Sequence, residues 1–147
     1  MAACRIRLAQ LNLTAGILST GRYLQVTLMS IPPGSSIGLE AHPEMNQFVR
    51  LDAGKGHVTM GPAEDDLSFQ LDVEDGWSVQ VPAGKWHDVT NTGDKDMRLY
   101  VVYAPVHHTP GIVQKTPEDA EKDEESGRDQ PATWSVQPES SERDEKP

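Results

Sequence analysis

Between Tyr23 and Ala104 turn-forming residues interrupt the chain at short intervals, at Pro32-Pro33-Gly34, Ala53-Gly54, residues 61–66, Asp75-Gly76, residues 82–84 and residues 92–96. The stretches between them are rich in Val, Leu, Ile and aromatic side chains, and no ten-residue apolar helix pattern appears among them. Residues 23–29 alternate, with Leu24, Val26 and Leu28 on one face. The pattern predicts eight strands, near residues 23–29, 38–42, 47–51, 57–60, 67–71, 77–81, 86–90 and 98–103. An all-β domain follows, a jelly roll or small barrel whose closure removes exposed sheet edges. A parallel α/β fold is excluded by the missing helical periods.

One domain is the limit for 147 residues, and the apolar content of 36% is low enough to place part of the chain outside the core. The reading assigns residues 1–22 to an N-terminal segment, 23–114 to the barrel and 115–147 to an acidic tail. That tail holds eleven Asp and Glu against five Lys and Arg, which is most of the net charge of −10. Thr116-Pro117-Glu118-Asp119 has the make-up of a helix start, with an N-cap threonine, proline at N1 and acids in the first turn, so a short helix is expected over 117–125. Beyond Ser126 aliphatic residues almost vanish and disorder is expected, with Trp134 and Val136 making at most a transient contact.

No cluster of basic residues with interleaved aromatics appears, which argues against nucleic acid and anionic membranes as partners and for a small-molecule ligand. Cys4 is the single cysteine, so an intrachain disulfide and a thiolate metal site are both excluded. Gln10, Asn12 and Thr14 interrupt the first apolar stretch where an export signal needs an unbroken one, and the expected location is the cytoplasm.

Chemistry is concentrated in two segments. In the first, Glu40 and His42 stand two residues apart on an expected strand and share a face, and the turn at Pro43 brings Gln47 back on the next strand. In the second, His87 follows the Pro82-Ala83-Gly84 turn, with Val89 on its own face. A buried acid is costly unless it is paired or bound to metal, which makes Glu40 a candidate metal ligand and the one titratable group for catalysis. Gln47 is balanced between ligating the metal and orienting a neighbouring ligand.

These segments resemble the two signature motifs of the cupin superfamily over residues 23–105. Gly76, Pro82, Gly84, His87 and Asn91 satisfy the second motif without departure. Gly34, Glu40, His42, Gln47 and Gly54 occupy the first, with Glu40 where the family has its first histidine and Gln47 where it has glutamate. The resemblance implies a cupin jelly-roll β-barrel, one mononuclear divalent metal (Fe, Mn, Ni, Co or Zn) on Glu40, His42, Gln47 and His87, and a homodimer in which the stretch up to Gly21 is a candidate for exchange between subunits. Two imidazoles and one carboxylate retain the donor set of non-haem iron sites.

The function that follows is a metal-dependent enzyme on a small polar metabolite. It is similar to mannose-6-phosphate-isomerase-like cupins, that is, sugar or sugar-phosphate isomerases, or to oxygenases. The alternative is a non-catalytic binding or sensor cupin. Trp86 and Asp88 flank His87 on the opposite face, as Phe48 and Arg50 do for their strand, and they are expected to pack or face solvent. His107-His108 follow the last strand in a Pro-bounded segment and read as a loop, and Tyr103 either lines the barrel mouth or packs.

Overall fold

The computed structural model describes residues 15–137. They form nine strands and one helix: β1 (Ala15–Thr20), β2 (Gln25–Ile31), β3 (Asn46–Ala53), β4 (Lys55–Gly61), β5 (Phe69–Glu74), β6 (Ser78–Val81), β7 (Trp86–Asn91), β8 (Met97–Ala104), β9 (Val113–Gln114) and α1 (Pro117–Glu125). A six-stranded antiparallel sheet runs β6-β3-β8-β2-β1-β9 and faces a three-stranded sheet β5-β4-β7. The core between them comprises Ile31, Val58, Val81, Met97 and Leu99, among others, each at most 3% exposed.

Two expectations about strands change. The segment expected as a strand over 38–42 makes only isolated bridges to β7, Ser36 to Thr90 and Glu40 to His87, with two backbone hydrogen bonds joining Glu40 and His87. Gly38, at φ 93°, interrupts its pleat, and Pro43 ends it. The chain then crosses between the sheets, so Glu40 sits beside the three-stranded sheet while Gln47 lies on β3 of the other. The two are not partners in one hairpin. The second change is the addition of β1 and β9. Ala15–Thr20 pairs with β2 of its own chain, and Ala15 and Gly16 pair with Gln114 and Val113. Of the stretch up to Gly21 expected as an exchange segment, residues 1–14 lie outside the described residues.

Register fixes which side chains point inward. Gln47 pairs with Tyr103, and Val49 with Val101. Thr27 also pairs with Val101 from the other side and with Ile17 beyond it. Met29 pairs with Leu99, and Ala15 links Met29 to Gln114. These rows line the interior, as the two-residue period of a strand requires.

α1 begins where the sequence places it: the Thr116 side chain accepts from the Asp119 N–H, with proline in the first turn. From Gly127 to Gln137 the chain forms no regular element but is pinned to the barrel at several points. Val136 N donates to the Arg22 carbonyl at 2.9 Å, and Gln137 Nε2 to the Val106 carbonyl at 2.9 Å. The side chains of Trp134 and Val136 are exposed, so the Val136 backbone and the Gln137 side chain make this attachment. Residues 138–147 of the expected tail lie outside the described residues.

Candidate functional site

His87 is placed by the turn before it. Gly76 and Gly84 hold φ values of 85° and 77°, which side chains with a Cβ rarely adopt. Gly84 N donates to the His42 carbonyl at 2.8 Å, and Ala83 N to Asn46 Oδ1 at 2.9 Å, so this turn is tied to the segment that carries His42. At the far end of β7 the buried Asn91 side chain donates to the carbonyls of Ile31 and Lys95, both at 2.8 Å, and accepts from Gly93 N. β7 is therefore fastened at both ends, and His87 is fully buried within it.

Of the four residues expected at the site, Glu40, His42 and His87 stand together, and Gln47 lines the same cavity as Glu40 and His42. Glu40 Oε1 is 3.2 Å from His42 Nε2 and 3.5 Å from His87 Nε2. The half-buried Glu40 side chain lines an interior cavity together with His42 and Gln47, while His87 is not in its lining. Gln47 is buried, and its Nε2 has no hydrogen-bond partner among the described residues. His87 Nδ1 is 3.0 Å from the Lys85 carbonyl. A carbonyl can only accept, so Nδ1 carries the proton, and the lone pair of a neutral His87 sits on Nε2, facing the carboxylate.

That arrangement needs positive charge at its centre: protons on the rings, or one cation shared by ring and carboxylate. Burial alone would raise the Glu40 carboxyl, but the His42 and His87 rings outweigh it and hold the group at about 2. Burial lowers His87, yet Glu40 and the Lys85 carbonyl together raise it above its ordinary value. The 3.2 Å separation between Glu40 and His42 is also that of adjacent ligands on one ion, and the 3.5 Å between Glu40 and His87 is slightly longer. Bonds of about 2.1 Å put neighbouring donor atoms roughly 3.0–3.4 Å apart. The His42 and His87 rings are splayed, with centroids 6.1 Å apart, and among the described residues no three His, Cys, Asp or Glu side chains already close around a point. The donor chemistry, one carboxylate between two imidazole nitrogens, fits a divalent cation.

The cavity, of about 300 Å³, extends from these donors between the sheets. Its walls include Ile37, Val49, Val89, Leu99 and Val101. Its roof was not foreseen as part of the site. The His107 ring lies 4.9 Å from that of His42 and 4.7 Å from that of His108, which in turn lies 5.1 Å from Tyr103. His108 Nδ1 meets Asp129 Oδ2 at 2.7 Å, and Thr109 N donates to Asp129 Oδ1 at 2.8 Å. The segment after α1 is thereby clasped over the cavity, with Asp129, Gln130 and Pro131 in its lining.

Burial, followed by the His108 and His42 rings, holds His107 down to about 4, so its ring is neutral near pH 7. Burial and the charges of Glu40 and Asp129 push the Tyr103 phenol up. The loop reading of His107-His108 is correct for the backbone. What it missed is the fold-back of residues 127–131, some twenty residues later, for which local sequence carries no signal. Phe48 is exposed and Arg50 half-buried, and neither they nor Trp86 and Asp88 line the cavity. His57 lies away from it, paired with Asp72 at 2.7 Å.

Comparison with known proteins agrees with this geometry: the cupin domain family matches residues 27–103. This chain belongs to the cupin family. YrkC of Bacillus subtilis (strain 168), described as uncharacterized, is 50% identical over 103 residues, covering 70% of this chain and 55% of YrkC. The uncharacterized protein L612 of Acanthamoeba polyphaga mimivirus is 31% identical over 98 residues, covering 66% of this chain and 59% of L612. The chain thus spans somewhat over half the length of these curated relatives. Among solved structures, BH2720 from Bacillus halodurans is 44% identical with a TM-score of 0.77, covering 78% of this chain and 87% of BH2720. Among the described residues of this cupin, no helix is long and apolar enough to cross a membrane.

Proposed function

We propose that this cupin is a metal-dependent enzyme acting on a small metabolite inside the barrel, with one divalent ion (Fe, Mn, Ni, Co or Zn) held by Glu40, His42, Gln47 and His87. The supporting observation is the carboxylate set between two imidazole Nε2 atoms at 3.2 and 3.5 Å, one of which belongs to a ring whose other nitrogen is committed to a carbonyl. When bound, the ion supplies a Lewis acid for a substrate oxygen or a meeting point for dioxygen and substrate. The chain's own part is positional. His87 is a buried anchor, Gln47 would offer its amide from the cavity wall, and the aliphatic walls exclude water. Glu40, at the cavity surface, is the one carboxylate at the metal end able to exchange a proton with a bound molecule.

Elemental analysis of the purified wild type beside a His42→Ala/His87→Ala double variant tests this reading. Near-stoichiometric metal in the wild type and its loss in the folded variant are expected. If neither protein holds metal after reconstitution with Fe(II), Mn(II), Ni(II) and Zn(II), the enzyme reading fails. A second reading, a binding or sensor cupin, is favoured by one observation: Glu40 is already engaged by two rings, an arrangement that a proton shared among them would also satisfy.

A further inference from the structure

In the roof of the cavity the His107 ring is held firmly while its nitrogens are left unused. Gln25, fully buried, brackets the backbone beside it: Oε1 accepts from His108 N at 2.9 Å, and Nε2 donates to the His108 carbonyl at 2.8 Å and to Thr20 Oγ1 at 2.9 Å. The ring itself lies edge-on between those of His42, at 4.9 Å, and His108, at 4.7 Å, and His108 is tied to Asp129. Backbone and both flanks are thereby fixed within the chain.

None of these contacts uses the polar atoms of the His107 ring. Among the described residues its nitrogens have no hydrogen-bond partner, and they are not sealed off as Gln47 Nε2 is. The ring is half-buried and lines the cavity, so it keeps surface that a bound molecule can reach. Holding an imidazole partly out of water with nothing to bond costs free energy in the empty protein, and a ligand atom beside it recovers that cost. Its neighbour is a candidate metal donor, so the ligand atom in reach belongs to the part of the molecule nearest Glu40 and His42. Glu40, Glu124 and Asp129 line the same cavity, and among the described residues no Lys or Arg does. A phosphate there would meet carboxylates and no cation.

We infer that His107 is a ligand-binding residue, whose imidazole hydrogen-bonds a hydroxyl or carbonyl oxygen of the molecule in the cavity, beside the metal donors. The inference deepens the proposed function and rests on it for the position of the ligand. His108, Asp129 and Gln25 act through His107 as positioning residues.

The test compares the full-length wild type with His107→Phe and His107→Gln, each loaded with Zn(II), using acetohydroxamate as the probe because its carbonyl and hydroxyl oxygens are adjacent. Phenylalanine keeps a flat ring between His42 and His108 but offers no hydrogen bond, whereas glutamine loses the ring and keeps a donor and an acceptor. Isothermal titration is expected to show binding about tenfold weaker in His107→Phe and within about threefold of wild type in His107→Gln, with one Zn(II) per chain in all three. A packing role predicts the reverse: a lower Tm in His107→Gln and unchanged probe affinity in His107→Phe. In the wild type alone, NMR of the ring nitrogens gives a reading that needs no folded variant, and the probe is expected to shift the His107 signals while leaving those of His57 in place.

Unmoved His107 signals, equal probe affinity in wild type and His107→Phe, no rescue by glutamine, or binding of methylphosphonate that depends on His107 would overturn the inference. The two readings fail separately. Wild type that takes up no Zn(II), with probe binding that still falls in His107→Phe and returns in His107→Gln, defeats the metal reading alone. Full Zn(II) with the same probe affinity in all three proteins defeats this one alone.

Discussion

Among the described residues of this cupin three carboxylates meet imidazoles, Glu40 with His42 and His87, Asp129 with His108, and Asp72 with His57, and their surroundings separate their roles. Asp129 receives an N–H on each oxygen, one from the His108 ring and one from the Thr109 backbone, so its hydrogen bonding is complete within the chain. It is a clasp. Glu40 faces two ring nitrogens, and the Nδ1 proton of His87 is already spent on Lys85, so the centre lacks a positive charge unless a proton or a metal supplies one. Asp72 is 91% exposed, and water competes for every contact it makes. The same two side-chain types thus make a candidate reactive centre, a structural pin and a nearly neutral surface pair, according to which atoms are left unsatisfied and how deeply they lie.

The sharpest way to break this ranking is Glu40→Gln. Removing the charge between the two imidazoles should weaken Zn(II) binding at least about a hundredfold in a chelator competition, since even residues behind a ligand are worth about 10–100-fold. Unchanged affinity would place the metal elsewhere.

Asp129→Ala comes next. It strands two donors and should destabilise the fold by about 2 kcal/mol in urea unfolding, and it should open residues 127–131 to protease while leaving metal stoichiometry intact. Loss of metal in this variant would make the clasp part of the centre.

A pH titration refines the same point. Burial would raise the Asp129 carboxyl, but the His108 contact and the Thr109 N–H outweigh it and hold it below its ordinary value of 3.8. The folded state therefore binds fewer protons than the unfolded one as pH drops through that region. The stability difference between wild type and Asp129→Ala should be full above about pH 4 and shrink as pH falls below 3.8 toward the folded value. A difference that grows on acidification would contradict the assignment.

The smallest effect belongs to His57→Ala, which should change stability by less than about 0.5 kcal/mol and metal content not at all.

The sequence made the floor of the site legible and hid its roof, for physical reasons. Glu40, His42 and His87 lie close to tight turns whose geometry demands particular residues, so spacing alone carries the information. Gln47 was legible as a site residue but not as a member of the opposite sheet, because the crossover at Pro43 looks in sequence like a hairpin turn. β1 was hidden because Ala15–Thr20 is short and mixes Ser and Thr with aliphatics, and its pairing is decided by β2 and β9 rather than by its own composition. The His108–Asp129 clasp joins two loops across twenty intervening residues, and no local propensity encodes such a contact.

The placement of the roof has an evolutionary consequence. Candidate metal donors and roof come from separate stretches of chain, residues 40–87 and 107–131, and the stretch that matches the cupin family ends before the second begins. Substitutions and insertions after β8 can therefore rewrite what enters the cavity without disturbing the donors at its floor. Descendants of such a chain would inherit one floor and diverge in diet.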